Sequence, residues 1–158
     1  MTTQVVAPPK PKPSKFELIN TFEITVPKNY NHATRLDTFK VAHELEFRYY
    51  NPDTTDSNFS KATTQLVAGR KFQVKVFGIK KVVSSKGCLA KLCSEKAVLL
   101  GAHGMSLVYE QKKDELPKGK WSVSFDEKEA LPVIDGRHWV PRVYRYSVKW
   151  GQPLFNQT

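Results

Sequence analysis

The sequence predicts an α+β fold: one domain built on a mixed β-sheet, with two or three short helices and a C-terminal hairpin. Three observations carry that reading. Phe72, Val74 and Val76 alternate with Lys71, Gln73 and Lys75, the period of a half-buried strand. Met105, Val108, Tyr109 and Leu116 fall near one side of a helix, with Glu110, Gln111, Lys113 and Asp114 mostly on the other. Asp135-Gly136 lies between β-prone flanks and is the strongest hairpin signal in the chain.

Taken in order, residues 1–15 hold Pro8, Pro9, Pro11 and Pro13 interleaved with Lys10, Lys12 and Lys15. Proline fixes φ and removes a backbone donor, so an extended arm is expected there, with the folded domain over 16–158. Pro8 and Pro11 make a PxxP spacing, but a solvated tail is the plainer expectation. FELINTFEITVP, from Phe16 to Pro27, reads as a strand closed by its proline. Two periods compete over TFKVAHELEFRYY. Leu36, Phe39, His43 and Phe47 fit a helical stripe, whereas Val41, His43, Leu45, Phe47 and Tyr49 alternate as in a strand. The aromatics and the Asn51-Pro52 stop favour a strand over the C-terminal half.

Residues 52–65 are polar and turn-rich, a loop long enough to be either functional or mobile. Ser84 and Ser85 offer an N-cap for a helix over SKGCLAKLCSEK, whose Leu89, Leu92 and Cys93 should face the core. The run AVLL, 97–100, suits a buried strand, and Gly101-Ala102-His103-Gly104 then reads as a tight turn into the next helix. KWSVSFD alternates Trp121, Val123 and Phe125 against Ser122 and Ser124, a further strand. Pro132 and Pro141 confine the last strands to an edge or shorten them.

A chain of 158 residues with 40% hydrophobic and 11% aromatic residues can bury one sizeable core. Cys88 and Cys93 are spaced as neither a redox pair nor a zinc knuckle, so reduced buried thiols are expected. The N-terminus lacks a signal-peptide apolar stretch and no apolar run approaches a membrane span, which points to a cytoplasmic protein with no membrane partner.

Catalytic motifs are missing where they would be sought. GAHGMS has neither the nucleophile-elbow spacing nor the glycine pattern of a phosphate or dinucleotide loop. His103 is a candidate acid, base or anion contact at a helix start, although a lone histidine in a turn is the simpler expectation. His32, His43 and His138 are widely separated, so no metal and no cofactor is expected. Asp126, Glu127 and Glu129 at a strand end offer a general acid–base pair, against the plainer role of starting a turn.

Charge is the informative feature. The formal net charge is +10, from 25 Lys and Arg against 15 Asp and Glu. Between Asp56 and Glu95 there is no acid, while Lys61, Arg70, Lys71, Lys75, Lys80, Lys81, Lys86 and Lys91 follow one another. After Asp135 there is again none, with Arg137, Arg142, Arg145 and Lys149. Along RVYRYSVKW, Tyr144, Tyr146, Val148 and Trp150 would share one face, and Arg145, Ser147 and Lys149 the other.

Basic faces beside aromatics suit nucleic acid, since phosphates take the cations and exposed rings stack bases. The expected function is therefore a small, non-enzymatic module contacting nucleic acid through Arg70, Lys71, Lys75, Lys80, Lys81, Arg142, Arg145 and Lys149. Two alternatives stand beside it: an assembly subunit that binds an acidic protein, and an enzyme with a cleft near His103.

Overall fold

In the computed structural model, which describes residues 14–146 and the backbone of 155–157, the elements run in a mixed order of strands and helices. They are β1 (Phe16–Thr25), α1 (Arg35–His43), β2 (Phe47–Tyr50), β3 (Lys71–Ile79), α2 (Ser85–Ser94), α3 (Gly101–Lys112), β4 (Lys120–Val123), β5 (Val133–Ile134), β6 (Arg137–His138), β7 (Arg142–Arg145) and β8 (Phe155–Gln157). The class is α+β. Most of the proline arm, and the positions of Val148, Lys149 and Trp150, lie outside the described residues.

β1 and β3 form a two-stranded antiparallel ribbon, with Ile24 opposite Phe72 and Phe22 opposite Val74. The alternation read from the sequence sets its inner face: Ile24 is buried, and Phe22, Phe72 and Val74 pack against the main core. Ile19 is the extra residue of a bulge between Leu18 and Asn20, where the register shifts. The second sheet has four strands in the order β2-β8-β7-β4. It is mixed, because β2 pairs parallel with β8 while β8–β7 and β7–β4 are antiparallel. The hairpin β5–β6 turns at Asp135 and Gly136, both left-handed at φ 53 and 74, as a two-residue primed turn requires.

α3 is the hub. Met105, Val108, Tyr109 and Leu116 are buried and Glu110, Gln111 and Asp114 exposed, the two sides expected of this helix, and its first turn is enclosed as well, since every residue from Gly101 to Tyr109 is buried. Met105, Leu107, Val108 and Tyr109 join Ile24, Val26, Phe39, Phe47 and Val143 in the main core. Ala102 joins Leu36, Phe59 and Leu131 in a smaller cluster. Phe59 draws the 52–65 loop into that cluster, and the loop is further tied by Asn58 Nδ2 donating to the Asp53 carbonyl at 2.7 Å.

Four expectations are corrected. In 38–50 the helical stripe prevails: α1 buries Leu36 and Phe39 and runs to His43, a 3-10 turn covers Glu44–Glu46, and the strand begins only at Phe47. Val41 and Leu45, part of the strand-like alternation, are 83% and 94% exposed. The helix is started from a distance. Thr34 gives no side-chain cap; instead Leu36 N and Asp37 N each donate to the Asp56 carboxylate at 2.9 Å. Asp56 N donates back to Asp37 Oδ1 at 3.4 Å, a capping box split between two segments.

AVLL is not a strand. Ser84 caps α2 as expected, its hydroxyl accepting from Gly87 N at 3.1 Å. At the other end Lys96 turns left-handed at φ 54, and Ala97 N donates to Leu92 O at 3.0 Å while Lys96 N donates to Cys93 O. That double bond is a Schellman stop, and it consumes the amide a strand would have needed. Of the expected α2 stripe Leu89 and Leu92 are half-buried and Cys93 is exposed; Cys88 is the buried residue of the helix, against the expectation of two buried thiols.

GAHG is the first turn of α3 itself and not a separate loop. Gly101 takes φ 55, and a Cβ there would stand 3.2 Å from Asp126 Oδ2. At Gly104 a Cβ would meet Leu100 Cβ at 2.2 Å, so only glycine lets Leu100 fold over the helix start.

Candidate nucleic-acid interface

The predicted basic residues divide into three groups by what they touch. The first lies on the ribbon and α2. Lys71 Nζ stands 3.8 Å from Glu23, and Lys75 Nζ 3.8 Å from Glu95, which also takes Lys91 at 2.9 Å. Arg70 lays its guanidinium over Phe72, 4.7 Å from the ring centre. Glu23 and Glu95 thus partly neutralise the outer face of β3, in an acid-free stretch whose counter-charges come from elsewhere in the chain.

The second group is at the ribbon's end. Lys80 N donates to Lys15 O at 2.8 Å, so the start of β1 lies beside the lysine pair that follows β3. Lys15, Lys80, Lys81 and Lys86 are all exposed, and among the described residues none has a carboxylate within 4 Å. Exposed apolar side chains adjoin them: Leu18, Ile79 and Val82, the last fully exposed.

The third group is on the four-stranded sheet, where β7 sends its two arginines to opposite faces. Arg145 points inward. Its guanidinium donates to the carbonyls of Asp114 at 2.8 Å and Leu116 at 2.7 Å, and pairs with the Asp114 carboxylate at 3.5 Å. Arg142 points outward, and its guanidinium lies 4.2 Å from the centre of the Trp121 ring. The alternation along RVYR was legible; that the Arg145 face is the inner one was not, because the carbonyls it serves come from the end of α3.

The outer face of that sheet holds a connected aromatic row. Trp121 stands opposite Tyr144, their ring centres 5.2 Å apart, and Tyr144 meets Tyr146 at 4.7 Å. Arg48, from β2, lies over the Tyr146 ring at 4.5 Å. Trp121 and Val123 remain 38% and 43% exposed. Sequence reasoning did not select Arg48 or Trp121. The signal was present in FRYY and KWSV, but only the strand order brings β2 and β4 onto one face.

A buried polar cluster surrounds α3. His103 stacks on His32 with ring centres 3.8 Å apart and planes 11° from parallel. Asp56 Oδ1 is 3.8 Å from His103 Nε2, and His103 Nδ1 has no hydrogen-bond partner among the described residues. Leu66 N donates to His32 Nδ1 at 3.2 Å, which requires that nitrogen to be unprotonated. Burial, with the charges of His32 and Arg35, pushes His103 down to about 4, against a backbone hydrogen bond to His32 that acts upward. His32 is lowered as well, by burial first and against the pull of Asp56.

The cluster continues through ion pairs. Arg35 Nε donates to Ser106 Oγ at 2.9 Å, and Arg35 Nη2 stands 2.7 Å from Glu110. His43 bridges Glu110, at 2.9 Å, to Glu46, which accepts from Tyr109 Oη at 3.0 Å. Glu46 sits below the usual carboxylate range: its desolvation acts upward, but His43, Tyr109 and Lys113 outweigh it.

His103 is only 2% exposed, and it does not line the cavity of about 10 Å³ between the 51–59 loop and β5–β7. His103 and the Asp56 carboxylate therefore meet in packed interior. Asp126, also buried, accepts from Thr63 N at 3.1 Å and Glu127 N at 2.7 Å, so it ties a loop to the start of α3. Among the described residues no group of three metal-binding side chains occurs, and no helix is long and apolar enough to cross a membrane.

No protein-family model, curated protein or solved structure matches this chain.

Proposed function

We propose that the protein is a small, non-enzymatic module that binds nucleic acid through its phosphates. The carrying observation is that Lys15 and Lys80 meet at the end of the ribbon, with Lys81 next in the chain and Lys86 following in α2, all exposed and without a carboxylate within 4 Å among the described residues. Unpaired ammonium groups are the ones that release counterions from a polyanion. Lys71, Lys75 and Arg70 extend this surface along β3, and Arg142 supplies a second contact on the four-stranded sheet; Lys149 belongs to the proposal by its sequence position alone. Arg145 serves the fold rather than the ligand. The module is assigned to the cytoplasm, a reading supported by free Cys88 and Cys93.

At about 50 mM salt, where phosphate contacts are strongest, the protein should retain DNA or RNA and lose it progressively as salt rises. A Lys80→Glu, Lys81→Glu, Lys86→Glu variant should bind far more weakly and flatten that salt dependence while keeping its fold. Absence of retention for every nucleic acid tried at that salt overturns the proposal.

One observation favours a second reading, an assembly subunit for an acidic protein: Leu18, Ile79 and Val82 are 52%, 56% and 100% exposed beside the same lysines. Co-purification with an acidic protein, lost in the triple-lysine variant and indifferent to nuclease, would select it.

A further inference from the structure

We infer that copies of this chain associate with one another, the basic and apolar end of the ribbon on one copy seating on the acidic and apolar outer face of α1 on another. This goes beyond the nucleic-acid reading and does not depend on it, although both use Lys80 and Lys81.

The most exposed apolar side chains lie in two places. Val82, Leu45 and Val41 are the three most exposed large ones among the described residues, at 100%, 94% and 83%. At the ribbon's end the extra residue Ile19 reverses the alternation of β1, so Phe16 and Leu18 stand opposite Ile79 and Phe77 on the outer face, away from the core side of Phe22 and Val74. Leu18 and Ile79 are exposed there, and Val82 follows shortly after. On α1, Leu36 and Phe39 take the buried side. Val41, and Leu45 in the 3-10 turn after the helix, are left outside beside exposed Asp37, Thr38 and Glu44. Both surfaces are exposed, so neither covers the other within one chain.

Charge selects the occupant of each surface. Residues 15–19 and 77–87 carry Lys15, Lys80, Lys81 and Lys86 against Glu17 alone. Lys15 and Lys80 are joined across the ribbon by their backbone hydrogen bond, and like charges on facing strands cost stability within the fold. The α1 face has the opposite sign. Asp37 and Glu44 are exposed and make no ion pair among the described residues. After burial, the largest cause, Glu44, Asp37 and Asp56 all push the Tyr50 hydroxyl above its ordinary range, against the pull of Arg35. The basic groups beside them are Lys40, which is half-buried, and Arg48, whose guanidinium lies over the Tyr146 ring. A contact of like with like would set lysines against lysines or carboxylates against carboxylates, so the complementary pairing is the one charge favours. The hollow lined by Asp37, Thr38, Val41 and Ala42 is then the seat for Val82, whose neighbours Lys80 and Lys81 meet Asp37 and Glu44.

The test is sedimentation of the nuclease-treated full-length chain, with no nucleic acid added, over a range of concentrations. At low salt the average mass should rise with concentration above that of one chain, and about 1 M salt, where the Debye length is about 3 Å, should weaken the association about tenfold. Val41→Ala with Leu45→Ala, which removes no charge, should weaken it by about tenfold or more. Two further variants, Asp37→Asn with Glu44→Lys and Lys80→Glu with Lys81→Glu, should each stay monomeric alone and associate when mixed, because the reversed surfaces then complement each other. Recovery on mixing also separates a lost contact from a lost fold. A monomer at every concentration overturns the inference, as do charge variants that associate alone as the unaltered protein does, or a mixture that stays monomeric while circular dichroism shows both variants folded. A monomer that captures an acidic protein through Lys80 and Lys81 overturns it too. The nucleic-acid reading stands or falls separately, on oligonucleotide retention.

Discussion

Asp56 shows how much one residue decides in this chain. It caps α1 through Leu36 N and Asp37 N, and it stands beside His103 on the central helix. Replacing it by alanine should cost about 1–2 kcal/mol through the lost cap, measurable as a lower denaturation midpoint. No sequence rule finds this cap, because the usual position, Thr34, is one residue before the helix and the working carboxylate is on a distant loop. The paired imidazoles make a sharper prediction. His103 titrates near 4 in the folded protein against about 6.5 when unfolded, so the unfolded chain holds more protons between those values. Stability from this site should be complete above pH 6.5 and fall as pH drops toward 4, with a ceiling on the order of 3 kcal/mol. Urea midpoints across pH 4–7 should decline steeply for the unaltered protein and less steeply for His103→Gln; parallel curves would refute this assignment.

At the scale of elements, α3 keeps the stripe its periodicity implied, with Met105, Val108, Tyr109 and Leu116 buried and Glu110, Gln111 and Asp114 exposed, and its first turn is buried too. His103, expected in a turn before the helix, and Ser106 are buried polar residues of α3, and Asp56, His32 and Arg35 meet them there. A helix pattern counts apolar residues; it does not see partners arriving from 70 residues away, as Arg35 does for Ser106, with a sequence separation of 71. Leu107, fully buried, should cost about 2–5 kcal/mol when cut to alanine, while Gly104→Ala should destabilise comparably by colliding with Leu100, both read from chemical unfolding. The strands β1 and β3, the N-cap of α2 and the β5–β6 turn were legible, since alternation, Ser84 and Asp135-Gly136 are local signals, whereas the pairing of β1 with β3 was not. AVLL was not: the Schellman stop at Lys96 uses a lysine in a conformation that usually calls for glycine.

For the molecule as a whole, an α+β class was readable from the sequence and the positions of its charges were only half readable. The acid-free segments are real, yet Glu23 and Glu95 return to Lys71, Lys75 and Lys91 in three dimensions. Among the described residues Lys80, Lys81 and Lys86 are exposed without an ion pair, as are Lys61, Lys96 and Lys118 elsewhere, and the exposed aromatics include Tyr49 and Trp121. Arg145→Glu should therefore act differently from the lysine reversals: it should lower stability, because the carbonyls of Asp114 and Leu116 lose their donor, before it affects any ligand.

The most direct measurement is an amide and indole chemical-shift map of the isotopically labelled protein titrated with a short single-stranded oligonucleotide at low salt. Binding through the phosphates predicts shifts at Lys80, Lys81 and Lys86, with α3 unmoved. No shifts at saturating oligonucleotide, or shifts confined to the region around His103, would contradict it.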